Sequence, residues 1–328
     1  MTNALCIDEK YSTTKLATKE KPSIENGVED KFETVLFLPE GENRKGEGGL
    51  RTKGYFKKSY EGKPLVSIVT VVFNGEKYLE ETIRSVINQS YDNVEYIIID
   101  GGSNDGTVDI IGKYEDKIDY WVSEADGGIY DAMNKGIATC SGEIIGIVNA
   151  DDVIYNRTLS HVVSMMRKYP NVRYVYGTVD LATGEGDVYG HMRPLTEKEL
   201  NKRLYSEMPF PHPSLYVKSN VYKEIGLYNS AYRLSADYDF VLTLIEKKIR
   251  KVELLQSVGF FRDGGQSGEI QSFLENKNIL LEHNVNIAIV YKNFLKSYFK
   301  MTVRKIVPDV LFLFIKKFRK KSKNVLYE

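Results

Sequence analysis

The sequence predicts an α/β protein built around a mostly parallel sheet flanked by helices. Four short runs of β-branched and other apolar residues are typical of strands buried on both faces, namely VSIVTVVF (66–73), VEYIIID (94–100), DYWVSE (119–124) and EIIGIV (143–148). Between these runs, apolar residues recur with the spacing of amphipathic helices. Strands that alternate with helices indicate a parallel sheet, and the ligands of such sheets lie at the carboxyl ends of the strands.

The elements follow one another closely from residue 65. Asn74 and Gly75 end the first strand, and the helix after it has the apolar face Tyr78, Leu79, Thr82, Ile83, Val86 and Ile87. The second strand ends at Asp100 and the loop GGSNDGT, which leads into a shorter helix. A helix in IYDAMNKGIATC follows the third strand, and the fourth strand ends in the polar residues NADD (149–152). Polar clusters therefore follow three of these strands.

The pattern loosens after Tyr155. We predict a helix at about 158–169, a strand in VRYVYG, a turn-rich region through Met192, a helix that opens at SADYDF and a strand in VELLQSVGFF. The expected organisation is a polar extension with little core of its own (1–63), a half in which strands and helices alternate (64–170), a half with a looser pattern (171–275) and a basic amphipathic helical tail (276–328).

Composition excludes several classes of protein. The 45 basic and 45 acidic residues balance, so no global charge favours nucleic acid. Cys6 and Cys140 lie far apart, which disfavours a disulfide scaffold and indicates a reducing compartment. The N-terminus lacks the apolar stretch of a signal peptide, and the apolar run 310–315 is far shorter than the roughly 20 residues that span a bilayer. We expect a cytoplasmic protein, soluble or peripheral on the inner face of the membrane.

The loop after the second strand matches neither of two common nucleotide-binding motifs. Gly101 and Gly106 have the spacing of a phosphate-binding loop, but Thr107 stands where that motif requires lysine. No GxGxxG follows either of the first two strands, so a dinucleotide-binding fold is poorly supported. Asp100 can accept hydrogen bonds from a base or ribose, or it can cap the following turn, and the sequence leaves both roles open.

Asp151 and Asp152 raise a similar choice between an acidic turn and a ligand site. Adjacent carboxylates raise each other's pKa, and a bound divalent cation removes that cost. Mg²⁺ or Mn²⁺ takes oxygen ligands, typically one or two carboxylates plus the phosphates of a substrate. A pair of acids at the ligand-binding edge therefore predicts a metal–diphosphate site.

Candidates in the second half are supported less strongly. Asp237 lies in the first turn of a predicted helix, where an acid is favoured by the helix dipole alone, or where it can face the site as a general base. His212, between two prolines, is either a packed loop histidine or a contact to a ligand at the sheet edge, and GGQS (264–267) is either a turn or part of the same site. The second-rank site candidates are therefore His212, Asp239, Gly265 and Ser267.

Taken in order, VSIVTVVFN, IIIDGGSNDGT, EADGGIYDAMNKGIATCSGEIIGIVNADD and SADYDFVL resemble the family 2 glycosyltransferases. The likeness covers about residues 65–268 and implies the GT-A fold, an inverting reaction and a nucleotide-diphospho-sugar donor. It also implies that residues 64–170 form the nucleotide-sugar-binding half and residues 171–275 the acceptor-binding half. The variant GIYDAMNKG is similar to the subgroup that builds bacterial O-antigen, capsule or exopolysaccharide repeats.

The resemblance also assigns roles to individual residues. Val71, Val72, Phe73 and Asn74 match the segment that contacts the nucleotide, with Phe73 in place of the usual tyrosine, and Asp100 matches the acid that binds the base. Asp126 to Asn134 match the loop and helix beside the sugar diphosphate. Asn149-Ala150-Asp151 occupies the metal motif Asp-x-Asp, which leaves Asp151, helped by Asp152, as the expected ligand of Mn²⁺ or Mg²⁺. Asp237 matches the catalytic base.

Two further readings and one partner stay open. A catalytically idle scaffold that binds nucleotide-sugars is the alternative, because Asn149 replaces the first acid of the metal motif. A sugar-nucleotide pyrophosphorylase would need a Gly- and Arg/Lys-rich loop after the first strand, which VVFNGEKYL is not. From Lys296 onward, lysines and arginines are interleaved with aromatic and aliphatic residues. The tail is either a helix docked on the catalytic domain with a solvated charged face or a helix on an anionic membrane surface, and a polyprenyl-linked acceptor favours the second.

Overall fold

The computed structural model describes residues 4–41, 43–262 and 270–306 of the 328-residue chain. The chain divides into two compact units. The larger unit comprises residues 1–204 and 208–264, and the smaller comprises residues 205–207 and 265–328.

One sheet forms the centre of the larger unit. Its strands in the described residues are β1 (Gly46–Gly48), β2 (Val66–Val72), β3 (Val94–Asp100), β4 (Tyr120–Ser123), β5 (Ile144–Ile147), β6 (Val153–Ile154), β7 (Tyr174–Ala182), β8 (Val188–Met192), β9 (Tyr216–Lys218) and β10 (Lys251–Arg262). The spatial order is β1-β4-β3-β2-β5-β9-β7-β10-β6, with β8 paired to β7. Helices cover this sheet, namely α1 (Leu79–Ile87), α2 (Thr107–Lys113), α3 (Ile129–Ala138), α4 (Thr158–Lys168), α5 (Glu197–Arg203), α6 (Ser219–Ile225) and α7 (Ala236–Glu246).

The longest parallel part of the sheet runs from β4 through β3 and β2 to β5. β4, β3, β2 and β5 run in the same direction, as does the pair β7 and β10. The remaining pairings among the described strands are antiparallel. A parallel neighbour needs a long crossover, whereas an antiparallel one needs only a short turn, such as the one that joins β7 to β8. The expectation of a mostly parallel sheet therefore holds for β2 to β5 and is too broad for the whole.

The order of the parallel strands defines where a ligand can enter. From β2 the chain proceeds through β3 and β4 on one side and then crosses to β5 on the other side. This reversal is a topological switch point, and open sheets bind ligands outside the carboxyl ends of the strands at such a point. α3 packs closely against β2, because a Cβ on Gly136 would lie 2.3 Å from Cγ1 of Val69. The residues after β2, β3 and β5 therefore meet at one edge.

The N-terminal segment, predicted to be an extension with little core of its own, contributes to the core of this unit. β1 pairs with β4, and Ala17, Leu36, Leu50 and Phe56 are buried. The charged side chains of Arg51 and Lys57 are also buried. Arg51 pairs with Glu95 of β3 at an N···O distance of 2.6 Å. The polar composition of the segment therefore conceals a buried charge, that of Arg51, which is neutralised by a strand of the central sheet.

The smaller unit contains a helical pair in its described part, α8 (Ile270–Glu282) and α9 (Ile287–Ile306). The boundary expected at residue 276 therefore lies inside α8. Val290 is fully buried, whereas one stripe of α9 is exposed and apolar, formed by Ile287, Tyr291, Leu295, Tyr298 and Phe299. Six of the twelve lysines and arginines of the predicted tail (276–328) lie beyond residue 306, outside the described residues.

Candidate active site

The loops after β2 and β3 are bound to each other at the switch point. The Asn74 N–H donates to Ser103 Oγ at 2.7 Å, and the Asn104 N–H donates to Asn74 Oδ1 at 2.9 Å. Asn74 adopts a left-handed backbone conformation with φ of 52°, which turns the chain away from the sheet. Phe73, just before it, is 63% exposed, while Val71 and Val72 are buried. Of the four predicted nucleotide-contacting residues at the end of β2, Phe73 and Asn74 are therefore the two that solvent reaches.

Asp100 lies at the end of β3 with its side chain in the interior. One carboxylate oxygen accepts from the Ser103 N–H at 3.0 Å, and hydroxyl groups of Ser103 and Ser123 donate to the carboxylate as well. The turn-capping role that the sequence left open is therefore present. The role in binding a base stays a prediction.

Asp126 lies beside the start of the same loop. A Cβ on Gly101 would come within 2.6 Å of Asp126 Oδ2, so glycine is what allows this carboxylate to approach the end of β3. Asp126 Oδ1 accepts from the Gly128 N–H at 2.8 Å. Burial raises the pKa of Asp126, and the nearby charges of Asp131 and Asp100 add to the rise. The loop that begins at Asp126 leads directly into α3.

The NADD loop (149–152) after β5 is held by hydrogen bonds from α1 and by one between its own side chains. Thr82 of α1 donates its hydroxyl to the carbonyl groups of Ala150 and Asp152 at 2.9 and 2.8 Å. Asn149 Nδ2 donates to Asp152 Oδ2 at 3.1 Å, and the Asp152 side chain is buried. In the described part of the chain, the buried Oδ1 of Asn149 has no hydrogen-bond partner. The two acids thus differ, because Asp152 faces the interior and Asp151 is only half-buried.

Arg262, which the sequence analysis missed, lies against this loop. Its guanidinium donates to the Asp151 carbonyl at 2.5 Å and pairs with Glu81 of α1, and the side chain is buried. The guanidinium carbon also lies 4.5 Å from the ring centroid of Tyr78. A guanidinium that stacks on an aromatic ring and also binds a carbonyl group and a carboxylate is held rigidly. The basic residue at the end of a predicted strand was the only signal in the sequence.

Whether these residues fit a divalent cation depends on Asp151 and Asp152. Burial raises the pKa of Asp152 well above its usual value, and the charge of Asp151 raises it further. Burial also raises the pKa of Asp151, and Arg262 opposes that rise. Within residues 4–41, 43–262 and 270–306, no three His, Cys, Asp or Glu side chains group to hold a metal ion by themselves. One half-exposed carboxylate fits an ion that takes its other ligands from a substrate diphosphate and water.

Asp237 lies in the first turn of α7 and faces α3. Its Oδ1 accepts from the Tyr130 hydroxyl at 2.9 Å and from the Tyr238 N–H at 2.9 Å. Tyr130 is the second residue of α3, four residues after Asp126. The α3 helix thus places the candidate base next to the loop of the predicted sugar-diphosphate site.

A second network joins α3 to the acceptor half through Tyr228. Asn134 donates its side-chain amide to the Tyr228 carbonyl at 2.8 Å and accepts from the Tyr228 N–H at 3.0 Å. The Tyr228 hydroxyl lies 2.7 Å from His212 Nε2, and both side chains are buried. Burial lowers the pKa of His212, and the charge of Asp237 opposes this shift. Asn134 and His212 therefore hold the polypeptide around Asp237 together.

Three predicted site residues remain, namely Asp239, Gly265 and Ser267. Asp239 is half-buried in the first turn of α7. Gly265 and Ser267 lie outside the described residues. Tyr130 and Tyr228 were missed as individual site residues. GIYDAMNKG was a signal for Tyr130, whereas no motif marks Tyr228.

Comparison with known proteins gives the geometry a context. The profile described as "Glycosyl transferase family 2" matches residues 67–226. An uncharacterized glycosyltransferase of Mycobacterium tuberculosis is 34% identical over 182 residues, which cover 55% of this chain and 68% of that protein. One from Rickettsia felis is 33% identical over 184 residues, and there the match spans 54% of this chain but only 30% of the relative.

Solved structures support the fold. TarS 1-349 of S. aureus in complex with UDP-GlcNAc has a TM-score of 0.53 at 17% identity, over 72% of this chain and 73% of that one. The mannosyltransferase PcManGT of Pyrobaculum calidifontis, in complex with GDP-Man and Mn²⁺, has a TM-score of 0.53 at 15% identity, over 83% of both chains. These likenesses confirm the predicted GT-A type of α/β fold. Among the described helices, none is both long and apolar enough to cross a membrane.

Proposed function

The chain belongs to glycosyl transferase family 2, and we propose that it transfers a sugar, with inversion, from a nucleotide-diphospho-sugar to an acceptor hydroxyl. The observation that supports this most strongly is the contact between Tyr130 and Asp237. It places a half-buried carboxylate beside the loop that begins at Asp126, while that loop lies at the carboxyl end of β3. A base on the acceptor side and a diphosphate edge are the two parts that the reaction needs.

The chemistry is a single displacement. Asp237 takes the proton of the acceptor hydroxyl, and the acceptor oxygen bonds to the anomeric carbon. The bond from that carbon to the diphosphate oxygen breaks, and the nucleoside diphosphate leaves with the electron pair. One base suffices for this reaction, whereas two carboxylates flanking a glycosidic bond would indicate hydrolysis.

The diphosphate end of the site is formed by Asp151 and its supports. Mn²⁺ or Mg²⁺, when bound, would neutralise the charge that develops on the departing diphosphate. Asp151 would hold such an ion. Thr82, Asn149 and Arg262 keep the loop in place through the hydrogen bonds described above. Asp152 as a second ligand stays a prediction that its burial does not favour.

A donor screen tests the function. Purified protein is assayed with a panel of UDP- and GDP-sugars and Mn²⁺, with donor hydrolysis and transfer as readouts, for the wild type, Asp237→Asn and Asp109→Asn. Asp109 is an exposed acid in the first turn of α2 and is the matched control. Loss of a general base lowers kcat by about 10²- to 10⁴-fold. Full activity of Asp237→Asn would exclude Asp237 as the base.

We further propose that the acceptor is a growing surface glycan on a polyprenyl carrier, used at the cytoplasmic face of the membrane. The exposed stripe of α9 supports this, because Tyr291, Leu295 and Phe299 lie beside the exposed Lys292 and Lys296. Apolar and aromatic side chains flanked by lysines are typical of helices that lie in an anionic bilayer interface. Each lysine near such a surface contributes about 1 kcal/mol.

Sedimentation with phosphatidylglycerol vesicles tests the membrane contact. The double substitution Leu295→Ser and Phe299→Ser is expected to reduce the bound fraction of the full chain. Leu255→Ser removes an exposed leucine of the larger unit and is the control that should bind normally. Equal binding by all three proteins would contradict the role of the α9 stripe.

A second function is favoured by one observation, the pairing of Asn149 with Asp152. A loop that satisfies its own acid has less need of a metal, which suits a scaffold protein that binds nucleotide-sugars without turnover. Calorimetry that shows UDP or GDP binding, together with no hydrolysis or transfer across the whole donor panel, would favour this second function.

A further inference from the structure

The two oxygens of the Asp237 carboxylate have different environments. Oδ1 accepts both hydrogen bonds, from the Tyr130 hydroxyl and from the Tyr238 N–H, each at 2.9 Å. In the described part of the chain, no hydrogen bond reaches Oδ2. An aspartate side chain otherwise turns easily about its last torsion, since that torsion has broad and nearly equivalent minima. The two hydrogen bonds to Oδ1 prevent the Asp237 carboxylate from rotating about this torsion.

Tyr130 is itself held firmly. Its side chain is only 6% exposed, and its ring lies 5.8 Å from that of Tyr228. The α3 helix begins after Gly128, whose φ of 113° requires glycine. The Gly128 N–H donates to Asp126, so the turn that positions Tyr130 is fixed on the side of the diphosphate loop. The Tyr130 hydroxyl is therefore a rigid donor rather than a mobile one.

From this geometry we infer that Tyr130 is a positioning residue of the transfer reaction. Its hydroxyl, together with the Tyr238 N–H, occupies Oδ1 of Asp237, so that Oδ2 is the oxygen that receives the acceptor proton. The inference rests on the proposed function, in which Asp237 is the base. It adds that α3, which follows the predicted sugar-diphosphate loop, sets the orientation of the Asp237 carboxylate on α7.

Tyr130→Phe tests this, because it removes one hydroxyl from a buried ring. A hydrogen bond to a charged group corresponds to a loss of about 10- to 100-fold in kcat. The donor KM and the affinity for UDP or GDP should stay within about twofold, because the substituted group touches Asp237 rather than donor. Tyr222→Phe, in the same aromatic cluster, is the control that should retain wild-type kcat.

The pH profile gives a readout that a structural role would not move. Removing a hydrogen bond to a carboxylate disfavours its charged form, so the acidic limb of kcat/KM should lie at higher pH in Tyr130→Phe than in the wild type. Among the described residues, the charge of Asp237 acts on His212 and Tyr228, and the substitution leaves the hydrogen bond between these two side chains in place. Tyr222→Phe should leave the limb in place.

A double variant keeps the inference testable if Tyr130→Phe lowers stability. If Tyr130 acts through Asp237, adding Tyr130→Phe to Asp237→Asn causes no further loss of kcat. A further loss comparable to that of the single variant would overturn the inference, as would unchanged kcat in Tyr130→Phe or a parallel loss of nucleotide affinity. Full activity of Asp237→Asn would instead overturn the proposed base, whatever Tyr130→Phe does.

Discussion

Replacing Arg51 by methionine should destabilise the larger unit strongly, although Arg51 lies in the segment that the sequence presents as a polar extension. Its Nη1 donates to the carbonyl groups of Leu36 and Thr139 at 2.9 and 2.8 Å, and its guanidinium pairs with Glu95. Both charged side chains are 1% exposed or less. Methionine retains much of the apolar stem and removes the charge.

The expected loss in the free energy of unfolding follows from the state of Glu95 once its partner is removed. Glu95 keeps its hydrogen bonds from Ser67 and Ser141 but loses the opposite charge that makes its ionisation tolerable in the interior. Removing one partner of a buried ion pair costs about 3–5 kcal/mol, whereas replacing both is often much less harmful. We therefore expect Arg51→Met to cost about 4 kcal/mol, and Arg51→Met with Glu95→Gln to cost less than the sum of the single variants.

Denaturation in urea measures this through the single tryptophan. Trp121 of β4 packs against the N-terminal segment, since a Cβ on Gly48 would lie 2.6 Å from its Nε1. Arg84→Met is the control, because Arg84 forms an exposed pair with Glu80 on α1, and its transition should match the wild type. If Arg51→Met unfolds within about 0.5 kcal/mol of the wild type, the segment does not share the core as described.

Three other predictions concern the site and the core. Asn149→Asp should lower the melting temperature in the absence of Mn²⁺, because the amide donor to Asp152 becomes a second carboxylate, and adding Asp152→Asn should restore it. Burial raises the pKa of Glu95, but Arg51 and the two serines outweigh it and lower the pKa overall, so the stability that Glu95 contributes should be lost as the pH falls below about 4. Acid titration of Trp121 fluorescence should show this loss in the wild type but not in the Arg51→Met/Glu95→Gln variant. Phe73→Ala should weaken UDP or GDP binding about tenfold in calorimetry at unchanged melting temperature, since an exposed ring stacks on a base.

Each of these has an outcome that would contradict it. A higher melting temperature of Asn149→Asp without metal would mean that the two side chains are not paired as described. Identical acid transitions in the wild type and the double variant would remove Glu95 from the acid response. Unchanged nucleotide affinity of Phe73→Ala would leave the end of β2 outside the base site.

The sequence predicted the parallel strands well because continuous apolar runs allow few other structures. β3 was predicted at 94–100 and is found there, and β2 ends one residue earlier than predicted. The antiparallel half was harder, since β8 is mostly exposed and has no continuous apolar run. The N-terminal segment was underestimated because buried charges such as Arg51 look like solvated ones until their partners are known.

The site was predicted unevenly for a related reason. Motif order brought Asp100, Asp126, Asp151 and Asp237 into consideration, and the fold places the residues after β2, β3 and β5 at one edge. Arg262 and Tyr228 act through tertiary contacts that no local pattern encodes. The hydroxyl of Tyr130 falls between these cases, because its motif was visible and its partner, 107 residues away, was not.

The acids at this edge divide according to how their oxygens are satisfied. Asp100 and Asp152 are buried and receive hydrogen bonds within the chain, so their carboxyl groups hold the loops that carry them in place. Asp151 and Asp237 are half-buried, and Asp237 keeps one oxygen without a donor among the described residues. Since a carboxylate whose oxygens are all occupied gains little from a ligand, an Asp→Asn change should affect folding at the first pair and chemistry at the second. Asn149 fits this division, because its amide donates to the buried Asp152 and not to the half-buried Asp151.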